Sequence, residues 1–165
     1  NAYYNNNLGS SASMGAEAQI KWQKWSYLAD VNYSYTLATD NKTGFQQYEF
    51  PPHMGHFRFG WNPEKKLWLN LRGDIIGKRP REEWSPNSGL LDGEGFQLLH
   101  FSVSASELGN GNVRLDASIL NLLDRQYSTL IFVDDADVVK DGAAKYPNDL
   151  AAEGRAFYIG LETGF

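Results

Sequence analysis

The chain has 165 residues, a formal net charge of −5 and no cysteine. The acidic balance argues against a nucleic-acid partner, and the missing thiols exclude a disulfide framework or a thiolate metal site. Aromatics at 14% and 16 glycines bias the chain towards strands and turns, while no run approaches the ~18 apolar residues of a membrane-spanning helix.

The opening NAYYNNNLGSSAS is polar and reads as the middle of a loop. No secretion leader precedes it, so the chain is expected to be a piece of a longer protein. From there the dominant signal is strict alternation, which puts successive side chains on opposite faces of a strand. Over 14–22, Ala16, Ala18, Ile20 and Trp22 oppose Glu17, Gln19 and Lys21. Over 27–38, Ala29, Val31, Tyr33, Tyr35 and Leu37 oppose Asp30, Asn32, Ser34 and Thr36. Over 54–61, Phe57, Phe59 and Trp61 oppose His56, Arg58 and Gly60. Over 67–77, Leu67, Leu69, Leu71 and Ile75 oppose Asn70, Arg72 and Asp74. Over 96–106, Leu99, Phe101, Val103 and Ala105 oppose His100, Ser102, Ser104 and Ser106. Over 113–121, Val113, Leu115, Ala117 and Ile119 oppose Arg114, Asp116 and Ser118. At the end, Phe157, Ile159, Leu161, Thr163 and Phe165 oppose Tyr158, Gly160, Glu162 and Gly164.

These seven segments are about 8–12 residues long, longer than the roughly 5–6 of an average strand and suited to a tilted membrane strand. A mean hydropathy of −0.48 does not oppose this, because alternation averages an apolar face against a polar one. The connections alternate in length. QKWS (23–26), NPEKK (62–66) and ELGNGN (107–112) are short, whereas 39–52, 79–95 and 124–153 are long. Outer-membrane barrels carry short periplasmic turns and long extracellular loops. The last strand is then expected to run inward and finish at the periplasmic edge with Phe165. Trp22, Trp25, Tyr27, Trp61, Trp68 and Phe165 all fall beside short turns, the depth that amphipathic rings prefer. Charged residues such as Arg58, Arg72, Asp74 and Arg114 on the second face fit a soluble two-sheet sandwich poorly. Seven is odd where single-chain bacterial barrels have an even number of strands, and seven strands alone would leave two open edges that lipid does not tolerate. The fold expected is therefore all-β: an antiparallel up-and-down transmembrane barrel segment, about seven strands of a larger barrel.

Particular residues add to the pattern. The segment Asn121-Leu122-Leu123-Asp124-Arg125-Gln126-Tyr127 resembles the N-L-F-D-x-x-Y element that closes the penultimate strand of TonB-dependent receptors, with Leu123 where Phe is commoner. Tyr146-Pro147, Gly154-Arg155 and the run from Ala156 to Phe165 are similar to the ending of that family. Gly15-Ala16-Glu17 and Asn32-Tyr33-Ser34-Tyr35 look like its barrel strands. The resemblance covers essentially the whole chain. It implies a barrel of about 22 strands with an N-terminal plug inside. This chain, residues 1–165, would supply its C-terminal part, about the last third, without the plug, the coupling box or the earlier strands. It further implies residence in the outer membrane of a Gram-negative bacterium and uptake of a scarce, large nutrient such as a ferric siderophore. The partners implied are the TonB complex, acting through the plug, and the outer-membrane assembly machinery, which reads a C-terminal aromatic like Phe165.

By residue chemistry, Asn121 and Asp124 can bond nearby backbone amides where the strand leaves the membrane. The Tyr127 ring can rest near the upper interface. Arg58, Arg72, Asp74, Arg114, Asp116 and Glu162 are expected to face the lumen, pairing with each other or docking a plug. Phe45, Tyr48, Phe50, Trp84, Phe132 and Tyr146 are the candidate substrate contacts in the three long loops.

Other motifs carry less. His53 and His56 sit three apart, which in a strand means opposite faces, so they read as a loop and a lumen histidine and not as a metal pair. Asp134, Asp135, Asp137, Asp141 and Asp149 lack the glycine and terminal Glu of a calcium loop and read as solvated charge. Glu82-Glu83 with Arg79 and Arg81 lack a supporting histidine and read as a surface loop. The glycines at 93, 95, 109 and 111 form no dinucleotide fingerprint, and no serine sits in G-x-S-x-G. No catalytic residue, metal or cofactor is expected. Two rivals to a transport receptor are a soluble carbohydrate-binding β-module and a non-TonB barrel such as a porin.

Overall fold

The computed structural model describes residues 10–41, 44, 50–80, 93–109, 111–129 and 150–163. Strand β1 is Ser11–Lys24, β2 Tyr27–Asp40, β3 His53–Glu64, β4 Leu67–Ile76, β5 Phe96–Leu108, β6 Val113–Leu120, β7 Ser128–Thr129, β8 Leu150–Ala151 and β9 Ala156–Thr163. Seven of them form one antiparallel sheet in the order β1-β2-β3-β4-β5-β6-β9. Apart from the excursion into β7 and β8, each strand pairs with its sequence neighbour, the up-and-down arrangement expected. The short β7–β8 ladder pairs Ser128 with Ala151 and Thr129 with Leu150 inside the last long connection, and the alternation pattern gave no sign of it.

β1, β2, β3 and β5 are longer at their ends than the sequence pattern marked, whereas β4 and β6 are each one residue shorter. β1 runs for 14 residues and β2 for 14, because pairing continues from Lys24↔Tyr27 out to Ser11↔Asp40 although hydrophobicity fades there. His53 is the first residue of β3, so it is a strand histidine and not a loop one. β6 stops at Leu120 because Asn121 takes a left-handed conformation, φ 50°. β9 is described to Thr163; Phe165 lies outside the described residues.

Register fixes the faces. Tyr27↔Trp61↔Leu69↔Val103 and Ala29↔Phe59↔Leu71↔Phe101↔Ile119↔Phe157 run across the sheet as apolar rows. Rows of the opposite parity carry the polar residues. Among the described residues the apolar face has no second layer on it and no hydrophobic side chain is buried; Ile20 is 71% and Ile159 81% exposed. In water such a face would be costly, since each fully buried aliphatic or aromatic side chain contributes about 1.5–3 kcal/mol. A soluble sandwich packs two such faces into a dry centre; this sheet does not.

Local devices hold the register. Gly73 lies opposite Phe57, whose ring covers the place where a Cβ would stand. An aromatic lying over a cross-strand glycine pins two strands together. The β1–β2 hairpin turns on Trp25 and Ser26, with Trp25 at φ 53°, an uncommon conformation for a bulky residue. Register shifts at Trp61/Glu64 and Ala105/Leu108 place bulges next to the other two short turns, where sheet rims often carry them. Short turns occupy one end of the sheet and long connections the other, as expected. Trp68 departs from the aromatic pattern. It sits at the short-turn depth, but its ring lies 3.2 Å from a Cβ built on Gly60, on the polar face. A girdle argument based on depth alone misses this, because depth and face are independent along a strand.

Candidate functional site

The polar face gathers its charges into two adjoining rows. One is Lys21↔Asp30↔Arg58↔Arg72↔His100, the next Gln19↔Asn32↔His56↔Asp74↔Leu98. Cross-strand neighbours on one face stand about 4.5–5.5 Å apart, close enough for side chains to pair. Asp74 is the centre. Its Oδ1 accepts from His56 Nδ1 at 2.6 Å, and its Oδ2 accepts from His100 Nε2 at 3.0 Å and Arg72 Nη2 at 3.1 Å. The Asp74 and His100 side chains are only 15% and 12% exposed. A carboxylate with three donors is a well-satisfied anion, and charge-assisted bonds of this kind are about twice as strong as neutral ones.

The tautomer of His100 follows from its second partner. The Asn121 amide donates to His100 Nδ1 at 3.3 Å. That nitrogen therefore accepts, and the ring proton sits on Nε2, facing Asp74. On β1 and β2, Lys21 pairs with Asp30 at 3.8 Å and Gln19 donates to Asp30 at 3.1 Å. Gln19, Asp30, Asn32, His56, Arg58 and Arg72, with Asp74, line an open hollow of about 370 Å³ on this face. A second centre lies further along the sheet, where Arg114 Nε meets Asp116 Oδ2 at 2.9 Å and Glu162 is the cross-strand partner of Arg114.

All six polar residues singled out in the sequence, Arg58, Arg72, Asp74, Arg114, Asp116 and Glu162, thus share one face. Arg72 with Asp74 and Arg114 with Asp116 pair as expected. Arg58 and Glu162 have no ion pair among the described residues. His53 and His56 are separated, as the strand spacing required. His53 Nδ1 and the Tyr33 hydroxyl are hydrogen-bonded at 2.7 Å on the apolar face, while His56 joins Asp74 on the other.

The motif after β6 forms a knot at the long-loop end. Asn121 is 3% exposed; its Oδ1 accepts from the Arg125 amide at 2.8 Å and its Nδ2 donates to the Arg125 carbonyl at 2.9 Å. Asp124, at φ 52°, reaches across the last loop, and its Oδ1 accepts from the Arg155 amide at 2.9 Å. N-L-L-D and G-R, the two motifs on either side of that loop, are therefore physically joined. Tyr127 packs on Phe96, with ring centroids 4.4 Å apart. Phe96 belongs to the polar-face row of β5, so the Tyr127 ring stands on that face at the long-loop end. Arg79 stacks over the same Phe96 at 5.5 Å and donates from Nη2 to the Ser128 carbonyl at 2.8 Å, tying the second long connection to the third. Sequence reading missed the roles of Arg79 and His100. His100 stood in the polar register among serines, a usable signal; Arg79 lay in a loop with no periodicity to place it.

Of the proposed substrate contacts, Phe50 is described and is exposed just ahead of β3. Phe45, Tyr48, Trp84, Phe132 and Tyr146 lie outside the described residues, as do Asp134, Asp135, Asp137, Asp141, Asp149, Glu82 and Glu83.

No protein-family model matches the chain. No curated protein matches it either. Solved structures do. The ferric yersiniabactin uptake receptor from Yersinia pestis superposes with a TM-score of 0.75 at 16% identity, over 96% of this chain and 24% of that one. A copper transporter gives 0.70 at 16% identity, over 94% and 24%. A ferric enterobactin receptor from Pseudomonas aeruginosa gives 0.70 at 20% identity, over 92% and 22%. The chain spans about a quarter of the length of these structures. At such identities the likeness is one of fold: the chain has the barrel-wall architecture of TonB-dependent receptors, as a partial barrel.

Proposed function

We propose that this chain is the C-terminal barrel wall of a TonB-dependent receptor in the outer membrane of a Gram-negative bacterium, and that the whole protein imports a ferric siderophore. The observation that carries this is a seven-stranded sheet with one apolar face on which no side chain is buried among the described residues, and one ion-paired polar face. Only lipid suits the first face, and only an enclosed aqueous or protein-filled interior suits the second. The open edges at β1 and β9 call for further strands to close the barrel. Superposition on uptake receptors for ferric yersiniabactin and ferric enterobactin supports transport of a chelated metal. The joined N-L-L-D and G-R motifs match the family element that resemblance pointed to.

On this reading Arg58, Arg72, Asp74, Arg114, Asp116 and Glu162 face the lumen, and the loops around 39–52, 79–95 and 124–153 face the outside. The aromatics Phe45, Tyr48, Phe50, Trp84, Phe132 and Tyr146 then surround the entrance. TonB acts through the plug, and Phe165 is presented to the assembly machinery. The direct test is uptake of radioactive iron by a strain deleted for the full-length gene. The deletion is expected to abolish uptake of one ferric siderophore while leaving inorganic iron uptake intact, and a strain without TonB should behave alike. Unchanged siderophore uptake, with loss of copper accumulation instead, would redirect the assignment to the chemistry of the copper transporter.

A further inference from the structure

A second hollow, of about 280 Å³, lies on the apolar face near the short-turn edge, walled by Tyr27, Phe59, Trp61, Leu69, Leu71 and Phe101. Its aromatic wall is ordered: the Tyr27 and Trp61 rings stack with centroids 6.2 Å apart and planes at 5°, and Phe59 tilts against Tyr27 at 6.4 Å. The volume falls just below the ~300–1,000 Å³ of sites that engulf a drug-sized molecule, and it suits a single hydrocarbon chain.

The rim beside it is charged. Lys24 is the cross-strand partner of Tyr27 and shares its face, with Nζ 4.4 Å from the Trp25 ring centroid. Lys65 occupies the neighbouring short turn. Lys21 is paired with Asp30 and Lys66 with Glu107, but Lys24 and Lys65 have no carboxylate partner among the described residues. Glu64, the cross-strand partner of Leu67, stands on this same edge, also without a cation partner among the described residues. The edge therefore presents two ammonium groups and one carboxylate, none neutralised, next to an apolar hollow.

We infer that this is a site for one zwitterionic aminophospholipid of the leaflet on the short-turn side. One acyl chain lies in the hollow, the phosphate meets Lys24 and Lys65, and the headgroup ammonium meets Glu64. The inference rests on the receptor reading above, which turns the apolar face to lipid. Aromatic rings and lysines at such a depth favour headgroup contact, and here charges of both signs select a headgroup that also carries both.

The test uses the full-length protein extracted from outer membranes, stripped of lipid in detergent, and offered phosphatidylethanolamine, phosphatidylglycerol or diacylglycerol. Native mass spectrometry counts the lipid retained, and heat-modifiable gel migration checks that each variant is folded. Phosphatidylethanolamine is expected to be retained over the other two. Lys24→Gln and Lys65→Gln should each weaken retention about fivefold, the worth of one lysine near a phosphate layer. Glu64→Gln should erase the preference over phosphatidylglycerol. Equal retention of diacylglycerol, equal retention of phosphatidylglycerol by the unmodified protein, or lysine variants that bind like it would each overturn the site. A protein that fractionates with the outer membrane yet retains no lipid overturns this inference alone. One that fractionates as soluble overturns the receptor reading with it.

Discussion

Asp74 and Asn121 illustrate how single polar side chains organise a sheet with no buried hydrophobic side chain among the described residues. Asp74 satisfies His56, His100 and Arg72 at once, and His100 in turn accepts from the backbone of Asn121. The polar face and the base of the last loop are thus connected by three consecutive hydrogen bonds, from His56 through Asp74 and His100 to Asn121. Replacing Asp74 with Ala leaves three donors facing one another without an acceptor. In a partly exposed network this should cost about 1–3 kcal/mol, read as a lower midpoint in urea unfolding of the full-length protein in vesicles. Asn121→Ala removes a side chain that both donates to and accepts from Arg125. The expected loss is about 1 kcal/mol, accompanied by faster proteolysis of the last loop and an unchanged barrel. If Asn121→Ala left loop proteolysis untouched, the knot would have no anchoring role.

Strands were the most legible part of the sequence, since a period of two is visible wherever one face meets an apolar medium. Phe57, Phe59 and Trp61 against His56 and Arg58 gave both the strand and its faces. The pattern could not show where β1 and β2 end, because their pairing outlasts the apolar alternation beyond Met14 and Leu37. It could not show β7 and β8 either, as two-residue strands are too short to carry a period. Of the site, the charges that share a face were readable from parity, but not who pairs with whom. Asp74 meets His56 and His100 from two different neighbouring strands, a matter of register across β3, β4 and β5. Face assignment makes a sharp prediction. Leu71→Arg puts a guanidinium on the apolar face in the middle of the sheet and should destabilise the barrel in vesicles by about 2–4 kcal/mol. Arg58→Leu, one row away on the polar face, should change the same unfolding free energy by less than about 1 kcal/mol. A reversal of that order would invert the faces.

The molecule as a whole is a wall and not a body. Seven strands form one layer with edges at β1 and β9, about a quarter the length of the receptors it superposes on. On the receptor reading proposed above, stability of such a layer comes from its surroundings: lipid on one side, further strands at the edges, a filled or watery interior on the other side. Its long connections all leave from one end, where Arg79, Phe96, Tyr127 and the Asn121–Asp124 knot bind the bases of the second and third together. Loops so anchored can vary in sequence at their tips without disturbing the wall. This chain contributes no cysteine of its own to a labelling test of the central claim. Single cysteines introduced in turn from Val113 to Leu120 in the full-length protein can carry a fluorophore, with brominated lipid as the quencher. Labels at 113, 115, 117 and 119 should be quenched by the lipid and those at 114, 116, 118 and 120 should not. Uniform quenching along the strand, or none at any position, would contradict a wall with one face to lipid and one to an interior.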